Sequence, residues 1–113
     1  MTSQKFKRLM THKVSIIKRE RTLTGDFENT TIACLVPAFV EYGVELKTYK
    51  DKEEVTANTI IYLTPTAPIS SEHPYWLISQ THPYGRQVME VLQILPIDDP
   101  RTGKTHHYEV LAR

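Results

Sequence analysis

The chain has 113 residues, 14 Lys+Arg against 13 Asp+Glu, and a net charge of +1, a length that suits one domain able to hold a core without disulfides or metal. Its one cysteine excludes an internal disulfide, and no apolar run approaches the roughly 20 residues of a membrane helix. MTSQKFKRLM lacks the apolar stretch of a signal peptide, so the expectation is a single soluble domain over residues 1–113, not exported.

Phe6, Leu9 and Met10 stand at i, i+3, i+4 and predict a short N-terminal helical turn. KVSIIKRE, Lys13 to Glu20, alternates: Val14 and Ile16 on one face, Lys13, Ser15 and Arg19 on the other, with Ile17 the exception, which predicts a strand. Thr24-Gly25-Asp26 predicts a turn, and TTIACLV, Thr30 to Val36, is β-branched and apolar on both faces, which predicts a central strand paired to the first. Cys34 in that run is expected to be buried and inert. Pro37 is expected to interrupt. Phe39, Val40 and Tyr42 prolong a strand past a bulge, and Gly43 bends it. KTYKDKEE, Lys47 to Glu54, is too charged for a core and predicts a long exposed loop or a short helix.

Thr59 to Leu63 (TIIYL) predicts a buried strand ended by Pro65 and Pro68, and Tyr75 to Ser79 (YWLIS) a short strand. A turn follows over Gln80 to Gly85. From Arg86, Val88, Val91, Leu92 and Leu95 fit a helical stripe as well. The β-branched content, the lack of an N-cap and the turn that follows favour a strand. The closing stretch, Arg86 to Arg113, RQVMEVLQILPIDDPRTGKTHHYEVLAR, is a hairpin with a mechanism: Pro100 fixes φ, Gly103 takes positive φ, and Asp98 and Asp99 bond their own backbone. Its last strand, His107 to Ala112, points Tyr108, Val110 and Ala112 one way and Glu109 the other. The sum is a mainly β chain: a small single-domain β-barrel of about six antiparallel strands with one long charged inter-strand loop.

Chemistry is sparse. Gly103-Lys104-Thr105 imitates the end of a phosphate-binding loop, but Asp98 stands where the further glycine belongs and a strand follows instead of a helix. His107 and Glu109 share a strand face while His106 points away, too few ligands for a closed zinc site, and His12, His73 and His82 have no motif spacing. No serine sits in a nucleophile elbow. Trp76 is expected in the core, and Tyr75 and Tyr84 are apart in sequence from the basic cluster, so the two do not interleave as a nucleic-acid surface requires. No enzyme, cofactor or metal is expected. Charge is polarised: through Arg21 the chain carries Lys5, Lys7, Arg8, Lys13, Lys18, Arg19 and Arg21 against Glu20 alone. Such a segment suits head-to-tail docking of identical subunits, a solvated arm or phosphate contacts.

The order KVSIIKR, Thr/Gly turn, TTIACLV, charged segment, TIIYL and the ending VMEVLQILPIDDPRTGKTHHYEVLAR resembles the head-closure, or stopper, proteins of tailed phages, of the head–tail joining and minor capsid type. The resemblance spans nearly the whole chain on soft motifs, and PAFVEYG and TPTAPISSEHP fall outside it. It implies a virion protein of the head–tail junction, assembled in the host cytoplasm: a β-barrel subunit in a homo-oligomeric, hexameric ring under the portal and adaptor. Such a ring retains packaged DNA without sequence specificity and docks the tail or its terminator, with no membrane. The segment from Gly43 to Thr56 would be a loop projecting into the channel, with Lys47, Lys50, Asp51, Lys52, Glu53 and Glu54 lining it. Lys5, Lys7, Arg8, Lys18, Arg19 and Arg21 would contact a partner or DNA. The alternative reading is an OB-type nucleic-acid-binding barrel using the basic N-terminal segment.

Overall fold

The structure, a computed structural model, describes residues 9–73, 76–80 and 87–113. Six strands, β1 His12–Arg21, β2 Phe27–Lys50, β3 Glu53–Leu63, β4 Trp76–Gln80, β5 Gln87–Asp98 and β6 Thr105–Ala112, pair antiparallel in the closed order β1-β2-β3-β6-β5-β4. They form two three-stranded meanders, β1–β2–β3 and β4–β5–β6. Two seams join the meanders: β1 on β4, running from Val14↔Gln80 to Lys18↔Trp76, and β3 on β6, from Thr59↔Ala112 to Leu63↔Tyr108.

Period-two alternation sends one face of every strand into the barrel. Val14 and Ile16 of β1 meet Val40 of β2, Ile61 and Leu63 of β3, Ile78 of β4, Met89 and Val91 of β5 and Val110 of β6 in one core cluster. Burying each such side chain is worth roughly 1.5–3 kcal/mol. Trp76 closes the core at 5% exposure, as the sequence predicts. Its indole N–H donates to the Ser70 carbonyl at 2.7 Å, so its polar end is satisfied, and His73 meets its ring edge-on at 5.0 Å.

Three expectations change along β2. Thr30 to Val36 is strand but not central. Residues 27–37 pair with β1 alone, because β3 joins only from Ala38↔Leu63. Ile32 and Leu35 are therefore exposed, and so is Cys34: apolar β-branched content signals a strand without saying that both faces are covered. Pro37 does not interrupt. It pairs with Lys13 where β2 is still an edge, and the bulge beside it, with Leu35 at φ 54, absorbs the irregularity.

The third change concerns the charged segment, which is neither loop nor helix. β2 runs on to Lys50 and β3 starts at Glu53, so Lys47 to Glu54 is the tip of a hairpin closed by Asp51 and Lys52 at φ 52 and 69. Both central residues take positive φ, the signature of a type I′ hairpin turn. The arm leaves the barrel at a joint: between Tyr42↔Thr59 and Leu46↔Ala57, three residues of β2 oppose one of β3. Gly43 there has φ 79, a conformation that costs glycine little and an L side chain more.

Residues from Gln87 are strand, as the β-branched content favours, and the β5–β6 turn matches its predicted chemistry. Asp99 Oδ1 accepts from the Arg101 backbone N–H at 2.9 Å, and the Asp99 carbonyl accepts from the Gly103 N–H at 2.8 Å, with Gly103 at φ 72. The Arg101 amide, with its guanidinium nearby, holds the Asp99 carboxyl below the usual value. Asp98 departs from the expectation. Its Oδ1 accepts from the Thr105 hydroxyl at 3.4 Å instead. A strand follows Gly103-Lys104-Thr105, so this is turn chemistry and not a phosphate loop. The expected helical turn at Phe6, the start of β4 at Tyr75, the turn after Gln80, and Tyr84 lie wholly or partly outside the described residues; Leu9 and Met10 are not in a helix.

Candidate functional site

The hairpin arm does not stand free. Strand alternation divides its two faces: Thr48 pairs with Val55 and Leu46 with Ala57 on one, Lys47 with Thr56 and Tyr49 with Glu54 on the other. The first face lies on the outer wall of the barrel. Ala57 joins Leu92 of β5 and Leu111 of β6 in a second apolar cluster, with Val55, Ile60 and Leu95 packed against it. Two polar ties flank this contact. The Thr48 hydroxyl donates to Gln93 Oε1 at 2.5 Å, and Lys50 Nζ donates to the Val91 carbonyl at 2.8 Å. Thr48 is 6% exposed, so part of a segment too charged for a core is nonetheless covered.

The opposite face carries the charge. Lys47 pairs with Glu54 of the same arm at 3.4 Å, and Tyr49 is 67% exposed. Asp51, Lys52, Glu53 and Glu54 are exposed around the tip. The mixed signs of the segment are thus partly paired within one arm. An exposed pair of this kind contributes about 0–1 kcal/mol.

The basic segment resolves differently. Lys5, Lys7 and Arg8 lie outside the described residues. On β1, Lys18 pairs with Glu20 at 3.1 Å. Arg19 and Arg21 place their guanidinium carbons 4.4 and 5.2 Å from the centroid of the Phe27 ring across the β1–β2 hairpin, a cation–π arrangement. Arg19 Nε is buried and makes no hydrogen bond among the described residues, while the Arg19 carbonyl meets His73 Nε2 at 3.0 Å.

Folding the arm down brings the two predicted sets together. Lys50, Asp51 and Glu53 at the arm tip line, together with Arg19 and Phe27, a cleft of about 390 Å³ to which Val55, Trp76, Leu77, Glu90 and Arg113 also contribute. Arg113 is tied to Glu90, Nη2 to Oε1 at 2.9 Å. Three cations and three anions line the cleft, so its charge is balanced and it offers no field that would select a polyanion. Lys18 and Arg21 do not line it.

Among the described residues no group of three His, Cys, Asp or Glu side chains converges as a metal site would require. His107 Nε2 lies 3.2 Å from Glu109 Oε1, as their shared face predicts. His106 does not point clear of them: its Nδ1 is 2.8 Å from that of His107. On the same outer wall Tyr62 donates to Glu41 at 3.2 Å, and burial, with Glu41 beside it, pushes the phenol up.

Sequence reasoning misses four participants: Phe27, which stacks under two arginines, and Val91, Gln93 and Leu92, which receive the arm. Phe27 beside basic β1 is visible once the hairpin register is fixed. The receiving residues carry no local signal, because what marks them is a fold-back some 40 residues away in sequence. Against known proteins, the chain matches no family model and no curated protein.

Proposed function

We propose that this protein is a structural subunit of a phage head–tail connector, a barrel that assembles with copies of itself into a ring below the portal and adaptor, retains packaged DNA and docks the tail. The observation that carries the reading is the jointed arm, a charged hairpin on a rigid closed barrel. Its inner face is held by an apolar cluster and two polar ties, and its outer face presents Lys47, Tyr49 and Glu54. A barrel alone fits many functions. An arm laid on the outer wall of the barrel, with a joint at its base, fits an element that changes position as subunits meet. The work of such a protein is mechanical: several weak contacts repeated around a ring hold one plug through multivalency. The balanced charge of the arm suits contact with DNA that must be retained yet released. The stacking of Arg19 and Arg21 on Phe27 and the ion pair of Lys18 lend no support to an OB-type binding face, since those cations are already engaged.

The test reverses charge on the arm without touching its inner face. Lys47→Glu with Lys52→Glu leaves Thr48, Lys50 and Val55 in place, so the purified protein should keep its β circular dichroism. Particles assembled with the variant should lose packaged DNA to added nuclease several-fold faster than those with the parent chain. Equal DNA retention, or particles that contain no copy of the protein, overturns the reading.

A further inference from the structure

The geometry points to an exchange of arms between copies of this chain: Leu46 to Ala57 of one copy seats on the β5–β6 outer wall of the next. The inference deepens the ring reading above and rests on the self-association it contains. Three observations carry it. The receiving surface is known together with its occupant, because Leu92 and Leu111 are buried under Ala57 and Val55 of the same chain. Every copy therefore carries both the arm and its seat, and the contact made at home is available, bond for bond, on a neighbour. The arm is also joined at one place. Gly43, Val44 and Glu45 face Asn58 alone, and Gly43 has positive φ, so a change of arm direction needs few backbone torsions and breaks no barrel pairing. Finally, an open seat is unfavourable, since lifting the arm uncovers Leu92, Leu111 and half-buried Ile60 and Leu95, apolar surface whose return to water costs free energy in proportion to its area. An arm that moves must be replaced, and the replacement with matching shape, Thr48 for Gln93 and Lys50 for the Val91 carbonyl, is another copy's arm. Head-to-tail repetition of that contact links subunits in a row or a closed ring.

A Cys34→Ser, Thr48→Cys, Gln93→Cys variant, treated with a short bismaleimide, reads which chain each arm sits on. Dilute protein should give a cross-linked monomer. Concentrated protein, or protein in assembled particles, should give a ladder of covalently joined chains on a denaturing gel, and mixing heavy- and light-nitrogen protein should give hybrid cross-links. A second variant, with Gly-Ser-Gly inserted between Val44 and Glu45, leaves both contact surfaces untouched but loosens the joint, so the home seat is reached more easily. In the cysteine background its ladder should fall several-fold, since a longer hinge disfavours exchange. Assembled rings whose engineered thiols join only within one chain overturn the exchange while leaving the ring reading intact. A chain that stays monomeric at every concentration and in particles also overturns the exchange, and the ring reading then stands or falls on DNA retention. A ladder unchanged by the insertion overturns it as well.

Discussion

At the residue scale, the turn at the arm tip explains why the sequence conceals a hairpin. A two-residue type I′ turn is announced by Asn-Gly or Asp-Gly, because both central residues take positive φ. Here Asp51 is followed by Lys52, at φ 69, and a charged lysine in KTYKDKEE reads as loop. The β5–β6 turn, by contrast, was legible to the atom at Asp99 and Gly103, since each residue type there matches the conformation it adopts. Holding an L residue in the left-handed region costs roughly 1–2 kcal/mol, of which glycine's greater backbone entropy returns about half. Lys52→Gly should accordingly stabilise the arm by about 0.5–1 kcal/mol and slow its amide hydrogen exchange roughly two- to fivefold; faster exchange would show that the lysine side chain contributes more than its backbone strain removes. Cys34 marks the opposite error. An apolar neighbourhood in sequence placed it inside, and the missing partner strand beyond residues 27–37 placed it outside.

At the element scale, strand existence was readable and strand length was not. Each predicted strand is present where it is described, because apolar alternation and Gly/Pro punctuation are local signals. β2, at 24 residues, exceeds any stretch that alternation alone would support, since it passes through three environments: open edge, barrel wall, arm. Only the wall segment, around Ala38 and Val40, keeps a buried alternate face. The arm itself is held by a small interface, so its two polar ties are a large share of its attachment. Replacing them by apolar residues of similar shape, Thr48→Val with Lys50→Met, should release the arm by about 2 kcal/mol at roughly 1 kcal/mol per bond. Amide exchange and tryptic cleavage within residues 44–56 should then rise on the order of 30-fold, with the barrel amides unchanged. A uniform rise across all six strands would instead make the arm part of one cooperative unit.

At the scale of the whole molecule, about six antiparallel strands in a barrel follow from their number, spacing and antiparallel turns, and the structure has that form. Which strands close the barrel was beyond the sequence: nothing in Val14 or Gln80 names the other, and pairing across a seam is decided only when both meanders exist. That seam governs how the molecule forms. Every hairpin joins strands adjacent in the chain, whereas β1–β4 joins Val14 to Gln80 and β3–β6 joins Thr59 to Ala112. Closing such loops costs entropy before any contact repays it, which places folding in the millisecond-to-second range of non-local β-proteins. The meanders are accordingly expected to assemble first and the seams to zip afterwards. Ile78→Val, which trims a fully buried side chain on β4 by one methylene, should cost about 1 kcal/mol and appear mainly as faster unfolding. A slowed folding limb with an unchanged unfolding limb would put the β1–β4 seam inside the nucleus. A nascent chain therefore holds its first meander, with β3 still lacking β6, until the last eight-residue strand has been made. During that interval the unpaired β3 edge is open to pairing by any neighbouring chain, so the order of synthesis leaves one sheet edge exposed until the barrel shuts.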